Sequence, residues 1–390
     1  KTGFFSIYWG MKKTKVLIDT YQLRIARTGI RKYVEELITL CNEHGSPAFE
    51  YFFYPDSSIK ESYDLGENAS FLSRLKEQWR YFYYKQIELP RIVKNESIDL
   101  LFLPDYYAPS ISLRAHKMVV FHDAFFWENP EHYGKLWWAY YRRMILTGLR
   151  GRSSVLTISK HSKSTLKRVL PTEITIDVLY NANRKEGSAD TAILQRLKVK
   201  KNQFFLHVGV FEERKNLDLL VEAFALFRER RQDSEIKLIL VGAAPTGRTK
   251  SALPDLLMKV KMLGIEKHVV FPGYLTDAEI SALYESALTY VFPSSNEGFG
   301  YPILEAFAHQ CPVLISDQPA LKEIAAHGAL TFPMNSSESL CSRMIDMYEN
   351  ASLRDDLIEK GSKRLTDFDR ATYMEKLEKL MASYLSQKNG

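Results

Sequence analysis

The chain has 390 residues, 45% of them hydrophobic and 26% charged, which suits two or three globular domains and excludes a fibrous or low-complexity chain. No apolar run reaches the roughly 18 residues of a membrane-spanning helix. The three cysteines (Cys41, Cys311, Cys341) are odd in number and lack metal-ligand spacing, so they read as reduced thiols of a cytoplasmic protein. The net charge of +6 is uneven: residues 1–180 hold 26 Lys and Arg against 19 Asp and Glu, and the remainder holds 27 against 28.

Residues 1–10 (KTGFFSIYWG) precede Met11 and lack the shape of a signal peptide, so residues 1–14 are set aside as an extension. Residues 15–21 predict a first buried strand and residues 31–41 a helix with Tyr33, Leu37 and Leu40 on one face. Gly29 sits between them, as a turn glycine or as a place where backbone approaches a phosphate or an acceptor. Further strands are expected at 49–54, 98–103, 117–121, 154–158 and 174–179. Helices are expected at 71–94, interrupted at Pro90, and at 136–149 and 160–170. The strand at 98–103 ends at Pro104 and Asp105, and that at 117–121 ends at His122 and Asp123. Such alternation argues for a parallel, Rossmann-like sheet over residues 15–182.

Residues 183–190 (NRKEGSAD) are small and polar and read as a linker region. The alternation restarts with strands at 204–208, 236–241, 268–271, 288–292, 312–315 and 329–332. Helices are expected at 217–230, 256–263, 276–286 (capped by Thr276) and 320–325, and from there to about residue 386. This predicts a second Rossmann-like domain over residues 183–368.

The segment 291–305 (VFPSSNEGFGYPILE) is the chemically dense part. A buried strand runs into a Pro, Ser, Asn and Gly loop, and Pro302 suits the first turn of a following helix. Glu297 and Glu305, seven residues apart, flank this junction. A helix start offers free N–H groups to an anion, glycines let backbone come close, and carboxylates accept hydrogen bonds from hydroxyls. The combination suits a ligand both phosphorylated and polyhydroxylated.

This segment resembles the signature of retaining GT-B glycosyltransferases of family 4, a Glu, seven residues and a second Glu with Gly-Phe-Gly after the first. The likeness extends over nearly all of residues 15–385. It departs at Gln310, where the family more often has Gly, a difference read as local packing variation. It departs again at residues 180–182 (YNA), where many relatives read Asn-Gly-Val. The resemblance implies an α/β GT-B fold, two Rossmann-like domains facing a central cleft, with residues 369–390 a last helix crossing back to the first domain. It implies that Glu305 binds the ribose and that Glu297 holds a donor-sugar hydroxyl. Gly298, Phe299 and Gly300 would offer backbone N–H groups to the sugar. Residues 208–217 (VGVFEERKNL) resemble the phosphate-contacting loop, with Arg214 and Lys215 neutralising the leaving diphosphate and Gly29 approaching it. Residues 121–131 (FHDAFFWENPE) resemble the segment whose His, here His122, orients the transferred sugar. Gly273 and Tyr274, in FPGY, resemble the base-contacting turn.

A leaving diphosphate can also be stabilised by a metal held on carboxylates. Asp367 and Asp369 form the short acidic motif such enzymes use, but they precede a helix, where Asp caps naturally. No metal and no cofactor is therefore expected. The implied reaction is metal-independent, retaining transfer of a hexose from a nucleoside-diphosphate sugar, UDP-glucose-like in preference to GDP-mannose, to a glycan or lipid-linked glycan. A nucleotide-sugar 2-epimerase or an inactive sugar-nucleotide-binding protein is the competing class. Between Glu131 and Glu173 no acidic residue occurs, yet nine Lys and Arg do, with Trp137, Trp138, Tyr140 and Tyr141 among them. A second basic, aromatic stretch covers residues 74–85. No nucleic-acid-binding motif accompanies this charge. It suits an anionic membrane surface, so a peripheral location at the inner leaflet is expected, through the first domain.

Overall fold

The computed structural model describes residues 12–26, 29–56, 70–184, 187–232, 234–242 and 251–386. Most of the expected N-terminal extension, Arg27 and Thr28 beside Gly29, and Lys185 and Glu186 of the linker region lie outside the described residues. The chain divides into two compact units, one running to Ala182 and taken up again at Arg370, the other Asn183–Asp369.

The first unit is built on β1 (Thr14–Asp19), β2 (Phe49–Tyr54), β3 (Leu100–Leu103), β4 (His116–Phe121), β5 (Ser153–Thr157) and β6 (Ile176–Val178). They form one sheet in the order β2-β1-β3-β4-β5-β6, parallel throughout. β3 and β4 are buried at every position, as strands covered on both faces must be. Helices α1 (Gly29–His44), α2 (Phe71–Tyr83), α3 (Leu89–Asn95), α4 (Lys135–Gly148) and α5 (Lys160–Val169) connect them. Pro90 does not interrupt the expected long helix. The winding instead widens to a π-turn over Tyr84–Glu88, Leu89 N–H reaching back to the Tyr84 carbonyl, and Pro90 falls within the first two residues of α3. The wider turn before it accommodates the proline ring within the continuous helix. The same π-turn carries Lys85 into the interior, where it is 0% exposed.

The second unit contains β7 (Phe204–Val208), β8 (Lys237–Val241), β9 (Val269–Gly273), β10 (Thr289–Phe292), β11 (Val313–Ser316) and β12 (Ala329–Phe332), in the order β12-β11-β10-β7-β8-β9, again all parallel. The helices that matter below are α6 (Leu217–Arg230), α7 (Asp277–Ser286), α8 (Tyr301–Ala308) and α9 (Pro319–Ala325). Thr276 caps α7 as expected, in a full capping box with Glu279; such a cap contributes about 1 kcal/mol. Phe205, Phe224, Phe227, Leu238, Val291 and Leu314 centre the core.

The last helix, α10 (Arg370–Ser386), belongs to the first unit. Arg370 pairs with Glu36 and Glu43, Tyr373 meets Tyr33 at 3.2 Å, and Tyr384 bonds Asp177 at 2.5 Å. Gln310 adopts φ +53°. That is the left-handed region, which glycine enters without cost.

Candidate functional site

In an open parallel sheet, loops leave opposite faces where the strand order reverses, and a crevice opens at the carboxyl ends of the strands. In the second unit that point lies between β7 and β10. The loop after β7 carries Arg214 and Lys215 in a single 3₁₀ turn, Glu213–Lys215. It closes at Asn216, held in the left-handed region at φ +54° while its side-chain amide donates to the Met334 carbonyl at 2.9 Å. The loop after β10 carries Ser294 to Gly300 and delivers the chain to α8.

The two loops are bonded together. The Arg214 carbonyl accepts from the Ser295 backbone N–H at 2.9 Å, from Ser294 Oγ at 2.9 Å and from Ser295 Oγ at 3.1 Å. Glu297 Oε1 receives Lys215 Nζ at 2.6 Å, Ser294 Oγ at 2.8 Å and Arg214 Nη1 at 3.0 Å. Gln318 Nε2 holds the Glu297 carbonyl at 3.1 Å. Burial alone would push the Glu297 carboxyl up, but Lys215 and Arg214 beside it bring it down to about 2. Burial draws the Lys215 ammonium below its ordinary value against the pull of Glu297. Three residues expected to act on a donor thus form one ionised cluster. Arg214 also pairs with Glu212 at 2.8 Å. Its side chain remains 35% exposed, so the cluster meets solvent on its cationic side.

Gly300 precedes α8 at φ +108°, and a Cβ there would stand 2.9 Å from Leu321 Cδ2. This position therefore requires glycine. Phe299 turns its ring inward against Tyr301 and Phe368 and is 4% exposed. Only its backbone is left to serve a ligand, which is the part the resemblance assigns to the site. Glu305 lies one turn into α8 and accepts from Arg184 Nη1 at 3.1 Å and from the Tyr284 hydroxyl at 3.4 Å. Gly273 ends β9, at the sheet's edge two strands from β7, and Tyr274 follows it. They sit on the same carboxyl rim, with Gly273 at φ +76° and Tyr274 86% exposed.

His122 and Gly29 lie in the first unit. His122 follows β4; its Nε2 faces the Pro104 carbonyl at 2.8 Å and its ring packs edge-on to Tyr33. A carbonyl can only accept, so Nε2 carries the proton and Nδ1 is left as an acceptor. Burial lowers its pKa below the ordinary histidine value, against the pull of the Pro104 bond and of Asp123, which keeps the ring neutral near pH 7. Gly29 is exposed, and among the described residues a Cβ there would meet nothing within 4 Å. Packing within the unit does not ask for glycine at that position. Asp367 pairs with Arg364 at 2.6 Å. Among the described residues no three His, Cys, Asp or Glu side chains converge as a metal site.

Sequence reasoning missed Ser294, Gln318, Arg184, Tyr284 and His207. Ser294 and Gln318 are common residues whose meaning comes from loop packing. His207 is fully buried on β7, donates from Nδ1 to the Val291 carbonyl at 3.0 Å and is pushed by burial to about 4.

The sequence profile described as glycosyl transferases group 1 matches residues 190–364. The O-antigen chain mannosyltransferase B of Escherichia coli is 23% identical over 376 residues, spanning 91% of this chain and 96% of that protein. The O-antigen chain mannosyltransferase RfbU of Salmonella typhimurium is 25% identical over 304 residues, spanning 78% and 79%. The solved structure of Anabaena HepE in complex with UDP-glucose aligns at a TM-score of 0.71 and 19% identity, covering 95% of this chain and 99% of that one. Over residues 190–364 the chain is thus similar to the group 1 glycosyl transferases, and it has the GT-B fold.

Proposed function

We propose that this protein transfers a hexosyl residue from a nucleoside-diphosphate sugar to a glycan acceptor with retention and without a metal. The observation that carries this reading is the Arg214–Lys215–Glu297 cluster at the β7/β10 switch point, beside the amino end of α8. Two fixed cations there suit the charge that develops on a departing diphosphate. Glu297, ionised and held by two cations and a hydroxyl, is a poor nucleophile but a well-oriented acceptor for a sugar hydroxyl. Same-face attack, with the leaving phosphate taking the acceptor's proton, fits such a site. For His122 we propose orientation of the transferred sugar through its neutral Nδ1, and for Gly29 a backbone approach to the diphosphate. For Gly273 and the backbone at Tyr274 we propose the border of the base.

The donor is read as a UDP-hexose or GDP-mannose. The mannosyltransferase relatives, one spanning nearly the whole chain, favour mannose; the sequence reading favoured glucose. Titration calorimetry with GDP-mannose and UDP-glucose separates the two. Turnover with the preferred donor should survive EDTA. Loss with EDTA and recovery with manganese would overturn the metal-free reading.

We also propose that α4 meets an anionic membrane face, placing the enzyme near a lipid-linked acceptor. Trp138 and Tyr141 pack on the core, but Leu136, Trp137 and Tyr140 are exposed, beside exposed Arg142 and Arg143. No helix among the described residues is long and apolar enough to cross a membrane. Sedimentation with anionic liposomes at low salt tests this. Binding should weaken with salt and on changing Arg142 and Arg143 to Glu; indifference to anionic liposomes would overturn it.

A further inference from the structure

Arg184 opens the second unit, directly after Asn183, whose N–H is anchored to the Phe368 carbonyl at 2.7 Å. Its guanidinium lies 4.0 Å from the centre of the Tyr301 ring, and its Nη1 reaches Glu305 Oε1 at 3.1 Å. Tyr301 is the first residue of α8 and Glu305 lies one turn on. The cation is therefore laid along the first turn of this helix, between its amino end and the carboxylate assigned to the ribose. Its Nε is buried and has no hydrogen-bond partner among the described residues. A buried guanidinium donor without an acceptor is costly, and every nitrogen of the group is a donor. What completes this arrangement is an acceptor-rich group arriving beside Glu305.

We propose that Arg184 is a nucleotide-contacting residue of the donor site, its guanidinium meeting the first phosphate of the nucleotide while Glu305 holds the ribose. This rests on the donor-site reading given above. With a nucleotide bound, Glu305 exchanges Arg184 for ribose hydroxyls and Arg184 exchanges Glu305 for phosphate oxygens. Each charged group keeps a partner throughout, and the Tyr301 face holds the guanidinium in place.

Calorimetry with uridine, UMP, guanosine and GMP tests the inference on Arg184→Met and Arg184→Lys proteins. For whichever base the wild-type protein prefers, Arg184→Met should weaken the monophosphate about tenfold, the scale of one charge-assisted hydrogen bond. Nucleoside affinity should hold or tighten, because Glu305 loses its competitor. Arg184→Lys should recover part of the monophosphate affinity and, through matching melting temperatures, separates binding from folding. An equal loss for nucleoside and monophosphate would overturn the inference and leave Arg184 a structural brace. Glu305→Ala tests the underlying reading separately. If that change leaves nucleotide affinity intact the ribose assignment fails, whereas if it weakens binding and Arg184→Met does not, only the present inference fails.

Discussion

Each sheet carries a charge cluster at its switch point, and the two are built to opposite ends. In the first unit the strand order turns between β1 and β3, where Lys85 Nζ sits between Asp19 at 2.5 Å and Asp105 at 2.9 Å. Tyr84 and the Tyr21 N–H complete Asp19; Tyr81, Gln22 and the Tyr107 N–H complete Asp105. None of the three charged side chains is more than 5% exposed. In the second unit the roles are reversed, with two cations on one carboxylate and Arg214 open to solvent. A closed cluster is sealed against exchange; an open one, with Arg214 at the solvent edge, can exchange a partner for a ligand. Equivalent positions in two parallel sheets thus differ in accessibility, one cluster sealed in the core and the other open to solvent at Arg214.

The sharpest way to break this contrast is to remove the central lysine from each. Lys85→Met leaves two carboxylates buried without their cation and should destabilise the first unit by about 3–5 kcal/mol in urea denaturation. Lys215→Met leaves Arg214 on Glu297 and should cost less than half as much. A stability loss at Lys215 equal to that at Lys85 would mean the second cluster is structural too. In activity the order inverts: Lys215→Ala or Arg214→Ala should reduce turnover about 100-fold, the scale of losing one preorganised charge stabiliser. A mutant with near wild-type kcat would remove the residue it replaces from the leaving-group role.

Binding sharpens the contrast further. Glu305→Ala should weaken bare nucleoside diphosphate about tenfold, as expected for lost hydrogen bonds to a charged acceptor. Glu297→Ala should leave that ligand almost untouched and weaken the full sugar nucleotide. Equal losses for the bare diphosphate would show the roles to be misassigned. A further contrast lies in acid stability. The Glu297 carboxyl is held at about 2 in the folded chain against 4.5 in the free group. Its ion pairing therefore contributes fully above pH 4.5 and is lost as the pH falls toward 2. Glu297→Gln should flatten the fall in stability across that window and change nothing at pH 7 to 8 in its slope. An unchanged acid limb would mean the pair is not ionised.

The open cluster was largely legible in the sequence because its chemistry is written locally. Arg214 and Lys215 are adjacent, and Glu297, Gly300 and Glu305 fall within one strand–loop–helix. The closed cluster was not legible: Lys85 is 66 residues from Asp19 and reaches it only because the helix widens into a π-turn. Nothing in the residues 84–88 announces that change, and Pro90 suggested a break instead. Arg184 was hidden for a similar reason. Its surroundings are polar and small and read as a linker, while its partners Tyr301 and Glu305 lie more than a hundred residues away. Alternation gave the strands well, since the central strands β3, β4, β10 and β11 are buried at every position. It could not give the strand order, and with it the two switch points.

The placement of α10 has a consequence for biosynthesis. The second unit is continuous from Asn183 to Asp369 and can assemble as soon as it leaves the ribosome. The first begins earlier but must wait for the final helix, whose Leu377, Met381 and Tyr384 are buried in the finished protein. A nascent chain arrested before Arg370 would leave Tyr33, Tyr51 and Asp177 without the partners they find on that helix. The earlier-made half is thus the later to mature.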